Sequence, residues 1–89
     1  MLENLKEYLQ ITWADEDADL LKLIERGEKY LSRMTGTSLT FTTEDMPKQL
    51  LLDYCRYSRN NALEFFQENF ASDILLLQLQ EGIKEMKTT

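Results

Sequence analysis

The sequence predicts an all-α domain: a small bundle of three to four helices over about residues 2–10, 13–35, 47–70 and 72–86, with an irregular 36–46 loop. Three observations predict that class. Apolar residues recur at the helical period, about 100° per residue, in all four segments. Glycine occurs three times and proline once, with Gly36 and Pro47 standing where a helix stops or starts. Extended character is confined to two brief stretches, Leu39–Phe41 and Ile74–Leu79.

The first segment carries Leu2, Leu5 and Leu9 on one side with Tyr8 beside them, a short amphipathic helix. Ile11-Thr12-Trp13 interrupts it. Thr12 is expected to cap the next helix, with Asp15 three residues on as an approximate capping box. Trp13, the only tryptophan, is expected to plug the junction between the first two helices.

The stretch Asp17–Gly36 is the strongest amphipathic segment. Leu20, Leu23, Ile24, Gly27, Tyr30, Leu31 and Met34 share one face, while Lys22, Glu25, Arg26, Lys29, Ser32 and Arg33 share the other. Acids at its start and glycine after its last periodic residue suit the helix dipole and the usual stop. Gly27 in the middle of the apolar face costs about 1 kcal/mol against alanine. It therefore marks a point where another helix, the third, comes close.

After the threonine-rich connection, Pro47 opens a third helix, expected to run unbroken to Phe70. Leu51, Tyr54, Cys55, Ser58, Ala62, Phe65, Phe66 and Asn69 form its apolar arc; Asp53, Arg56, Asn60, Glu64 and Gln67 form the opposite one. Arg59-Asn60-Asn61 resembles a loop by propensity, but both arcs keep their phase across it, which favours continuity. Leu50, Leu52 and Tyr57 widen the arc, so this helix is expected to touch more than one neighbour. Ser72 is expected to cap the last helix, with Leu75, Leu76, Leu79, Ile83 and Met86 on one side. This helix has a large apolar surplus for the final segment of so small a domain.

Eighty-nine residues allow one domain, 1–89, which buries only about 60–65% of its unfolded surface and gains from oligomerisation. Hydrophobic content of 43% with 29% charged residues argues for a globule. A net charge of −6 disfavours a general nucleic-acid binder. One cysteine permits no internal disulfide and fits a reducing compartment. Without a long apolar run or a leader peptide, a soluble protein of the cytoplasm is expected, with no membrane contact.

Little in the chain resembles a reaction centre. Histidine is absent, so the commonest general base and metal ligand are both missing. The glycines are too dispersed for a phosphate loop. Cys55 lies on the apolar arc as a core thiol. Asp15-x-Asp17-x-Asp19 begins like a calcium loop, yet the sixth and twelfth positions, which need glycine and glutamate, hold Leu20 and Arg26. No catalytic residue, cofactor or metal is expected.

One constellation has content: Lys22, Arg26, Lys29 and Arg33 line the outer face of the second helix. They form an ordinary solvated face paired with Glu25 and Glu28, or a basic surface that meets an acidic face of the next copy in a ring, or a DNA contact.

The order of these motifs resembles the head–tail connector family of tailed bacteriophages, also described as adaptor, head-completion or DNA-packaging proteins. The likeness lies in LENLKEYLQI, in DADLLKLIERGEKYLSRMTG and in PKQLLLDYCRYSRNNALEFFQENF. In the second-helix pattern it is carried by Asp17, Leu20, Leu23, Ile24, Gly27, Tyr30, Leu31, Thr35 and Gly36. In the third it is carried by Pro47, Leu51, Tyr54, Tyr57, Arg59 and Asn60. It covers roughly Met1–Phe70; Thr12 stands where the family often has an acid.

The resemblance implies a structural virion protein at the head–tail junction, assembled in the host cytoplasm. It would dock beneath the portal protein as a homo-oligomeric ring, commonly of twelve, and receive tail-completion or stopper proteins. Viral DNA would pass through it without sequence-specific binding. A small helical regulator that binds protein or DNA is the alternative.

Overall fold

The computed structural model describes residues 1–36, 39–41 and 45–88, with side chains as far as Ile83. Five helices follow in order: α1 (Leu2–Leu9), α2 (Asp17–Thr35), α3 (Met46–Arg59), α4 (Leu63–Asn69) and α5 (Ala71–Thr88). No strand occurs among the described residues, so the chain is all-α, and Ile74–Leu79 is helical. Of the irregular connection, Leu39–Phe41 is described as neither helix nor strand, with Phe41 buried; the rest lies largely outside the described residues.

The α2–α3 pair is the spine. α1 crosses both, α4 turns back onto α3, and α5 packs against α2 and α4. Leu20, Ile24 and Leu31 of α2 meet Leu50, Leu51, Tyr54 and Cys55 of α3 in one core, closed by Leu5, Ile11, Phe66, Ile74 and Leu77. At Gly27 the two helices come closest: a Cβ there would lie 2.5 Å from Leu51 Cδ1 and 2.8 Å from Tyr54 Cδ1. Phe66 anchors the aromatic end of this core. Its ring lies 5.6 Å from Tyr54, 6.0 Å from Tyr30, 5.8 Å from Tyr57 and 5.0 Å from Phe70.

Chain ends of the helices explain where the architecture departs from expectation. α1 stops in a Schellman motif: Gln10 is left-handed (φ 60°), its N–H donates to Glu7 O, and Ile11 N–H reaches back to Lys6 O at 2.8 Å. Buried Ile11 then supplies the apolar contact that such a stop favours. α2 begins at Asp17, not near residue 13, because Asp17 N–H closes a turn onto Ala14 O at 3.1 Å. The expected Thr12 cap does not form. Glu16 holds the cap position without a side-chain bond.

The third helix is broken, contrary to the unbroken 47–70 expected. Asn61 adopts φ 55°, its N–H donates to Ser58 O, and Ala62 N–H donates to Tyr57 O at 2.8 Å. This is a second Schellman motif, and asparagine is one of the few residues that accept its left-handed position. Local propensity wins over wheel phase because α4 has only seven residues. So short a helix buries one side chain, Phe66, and leaves Phe65, placed on the same arc, 49% exposed.

α5 starts at Ala71, so Ser72 lies inside the helix and not at the cap position expected of it. Its buried residues are Ile74 and Leu77, whereas Leu75, Leu76, Leu79 and Ile83 stand 46–57% exposed. On the inner side, beside Ile74 and Leu77, Gln78 Nε2 donates to Met34 O at 2.7 Å, satisfying a carbonyl of the last turn of α2. Trp13 departs as well. It is 46% exposed and its Nε1–H donates to Glu16 Oε2 at 2.7 Å, so it is no plug.

Candidate functional site

The basic stripe of α2 comes first. Lys22, Arg26, Lys29 and Arg33 are all exposed on one side of the helix. Lys29 Nζ pairs with Glu25 Oε1 at 3.0 Å across one turn, fully in solvent, a contact of a few tenths of a kcal/mol. Arg26 lies near enough to Tyr54 to favour its phenolate, against burial, which has the larger effect and raises that phenol. Lys22 and Arg33 find no ion-pair partner among the described residues. The stripe is an open cationic face, with Gly27 behind it at the α2–α3 contact rather than in it.

Three carboxylates follow that serve the fold. Asp17 Oδ1 pairs with Lys6 Nζ at 2.8 Å and ties α1 to the first turn of α2. Because the chain is already helical from Asp17, the Asp15–Asp17–Asp19 run has no loop in which to wrap an ion. Glu16 accepts from Arg59 Nη2 at 3.0 and 3.3 Å and from Trp13, so it joins the start of α2 to the end of α3. Those bonds, the arginine's first, hold its carboxyl below the usual value. Arg59 thereby ties the end of α3 to the start of α2.

Asp53 is the residue that wheel reasoning misplaced. Assigned to the solvent arc of α3, it is only 6% exposed. Tyr8 O–H donates to its Oδ1, Gln49 Nε2 donates to Oδ2 at 3.3 Å, and Arg56 Nη2 lies 3.6 Å away. The Arg56 guanidinium also covers the rings of Tyr8, at 5.8 Å, and Tyr57, at 5.2 Å. Burial, then the bond to Asp53, raises the Tyr8 phenol above its ordinary value. Tyr8, an aromatic hydroxyl beside the apolar side of α1, was the available signal for a buried partner.

Beside Asp53 opens a shallow cleft of about 360 Å³ lined by Asp45, Met46, Gln49, Leu50 and Asp73. Its carboxylates are spread: Asp45 caps α3 by accepting from Met46 N–H at 2.8 Å, and Asp53 is already satisfied. Among the described residues no group of three His, Cys, Asp or Glu side chains is arranged to hold a metal ion. Cys55 is fully buried, and burial pushes its thiol up to about 12.

The remaining feature is the outer side of α5. Leu75, Leu76, Leu79 and Ile83 form an apolar strip, and Gly82 lies at its edge with none of the described residues within 4 Å of where its Cβ would be. Among the described residues no helix is long and apolar enough to cross a membrane. Two surfaces stand out among the described residues, one cationic on α2, with Lys29 paired to Glu25, and one apolar on α5. No family model, no curated protein and no solved structure matches the chain.

Proposed function

We propose that this chain is a structural assembly protein of the head–tail connector type. It would dock as a ring beneath the portal of a tailed bacteriophage, extend the DNA channel and receive tail-completion or stopper proteins. The observation that carries the reading is the exposed apolar strip of α5, because the largest apolar patch of a small domain is often where a partner binds.

The sequence resemblance supports the same reading. Leu20, Ile24, Gly27, Tyr30 and Leu31 on α2, with Leu51 and Tyr54 on α3, carry the likeness and also build the spine of the fold. The basic face Lys22, Arg26, Lys29 and Arg33 supplies a subunit contact toward acidic surface on the next copy, in keeping with the net charge of −6. The acidic balance also suits a channel through which DNA slides without sticking.

Electron microscopy of the chain mixed with its cognate portal tests the proposal. Rings capping the portal are expected; absence of association under all salt conditions would sink it. Reversing the four basic charges should abolish ring closure or remove its salt dependence, and unchanged assembly would remove the stripe from the mechanism.

A further inference from the structure

We infer that the cleft at the start of α3 is the acidic surface that receives the basic stripe of α2 from the next copy of this chain. The inference rests on the reading of Lys22, Arg26, Lys29 and Arg33 as a subunit contact, and it names the face they meet.

Position is the first argument. α2 and α3 come closest where Gly27 faces Leu51. Gln49 and Asp53 each lie two residues from Leu51, about 200° around the helix, so they stand on the side of α3 turned away from α2. The stripe lies on the exposed side of α2, away from Gly27. Stripe and cleft therefore occupy opposite sides of the α2–α3 spine. A head-to-tail contact needs that disposition, because each copy offers one face to the copy before it and a different face to the copy after it.

Chemistry is the second. Asp45 and Asp73 are exposed at the edge of the cleft and enter no ion pair among the described residues. Asp53, held by Tyr8, Gln49 and Arg56, forms its floor, and Met46 and Leu50 give it an apolar wall. Carboxylates beside apolar wall suit arginine and lysine, whose methylene stems lie along apolar surface while the charged head stays at the carboxylate. Asp15, Asp19 and Glu25 are acidic too, but they lie on or just before α2 itself and cannot meet its stripe from the far side of the spine. Both sets of charges are solvated in the free chain, so the contact is weak and salt-dependent.

Charge exchange on the full chain tests this, read by sedimentation from micromolar to millimolar concentration at about 0.02 M salt, where screening is weak. The parent should rise above the mass of one chain and fall back at about 0.3 M salt. One variant reverses the stripe with Lys22→Glu, Arg26→Glu, Lys29→Glu and Arg33→Glu. A second reverses the cleft with Gln49→Lys, Asp73→Lys and Asp45→Asn, the last keeping a cap for Met46 N–H. Each variant alone sets like charges together and should associate at least about a hundredfold more weakly than the parent. Mixed in equal amounts, the two should associate again, since each then meets the opposite charge.

Net charge alone predicts otherwise, because the cleft variant is closer to neutrality than the parent and would associate more readily. Every substituted side chain is exposed, so circular dichroism should report unchanged helix content in both variants. Glu64→Lys, exposed on α4, should leave association as it is. A parent that stays monomeric at low salt, a cleft variant that associates like the parent, or a mixture that stays apart overturns the inference. If the cleft variant still rings on the portal and the stripe variant does not, the stripe meets another face, and this inference fails while the portal reading stands. A mixture that associates again, from a parent that never engages the portal, refutes only the portal reading.

Discussion

Replacing glycine by alanine at two positions of the same chain should have opposite signs, and the difference is set by tertiary structure alone. Gly27 and Gly82 both lie inside long helices, α2 and α5, so alanine gains about 1 kcal/mol of helix propensity at either. At Gly82 nothing lies within 4 Å of the new methyl, and that gain is kept. At Gly27 the methyl would sit 2.5 Å from Leu51 Cδ1 and 2.8 Å from Tyr54 Cδ1. Normal carbon contacts begin near 3.5 Å, so about 1 Å of relief is needed.

Leu51 is fully buried and Tyr54 is stacked among Tyr30 and Phe66, so neither swings aside without disturbing the core. Overpacking costs about 1–3 kcal/mol, and two contacts below 3 Å in a closed core place this one in the upper half of that range. Net of propensity, Gly27→Ala should lose about 1–2 kcal/mol while Gly82→Ala gains about 1 kcal/mol. For a domain of this size those values move the midpoint by about 4–8 °C per kcal/mol, downward and upward respectively. Thermal unfolding followed at 222 nm, at a dilution that keeps the chain monomeric, reads both. Gly27→Ala as stable as the parent would refute the close-approach reasoning.

Three further outcomes follow from named contacts. Tyr8→Phe removes the hydroxyl that donates to Asp53; with Gln49 and Arg56 still in place, it should cost about 1 kcal/mol in urea unfolding, and no loss would mean the bond is idle. Cys55, its thiol pushed up to about 12, should resist thiol reagents at pH 8 in the native state and react at once in denaturant; fast native labelling would contradict its burial. Glu16, its carboxyl lowered by Arg59 and then Trp13, contributes stability that is present above the ordinary carboxylate range and fades as pH falls through the lowered value. Arg59→Gln should therefore flatten the acid limb of the stability–pH curve, and an unchanged limb would remove the pair from the account.

The bundle class was legible because helical periodicity depends only on which residues follow one another. Leu20, Ile24 and Leu31 fall inside as the wheel requires, Gly36 ends α2 in the left-handed conformation, and Pro47 stands in the first turn of α3. Gly27 was readable for the same reason: a costly residue on an apolar face needs a neighbour.

Other features answer to contacts that no local pattern contains. Asn61 breaks α3 from α4 because a left-handed stop recovers the backbone bonds of Tyr57 and Ser58, and a preserved wheel phase carries no information about that. Asp53 lies inside because Tyr8, 45 positions away, donates to it. α5 has apolar residues around most of its circumference, so the order of residues alone shows that the helix is sticky but not which side is used. The tertiary structure decides it: Ile74 and Leu77 join the core, Gln78 donates to Met34 O, and Leu75, Leu76, Leu79 and Ile83 are left outward.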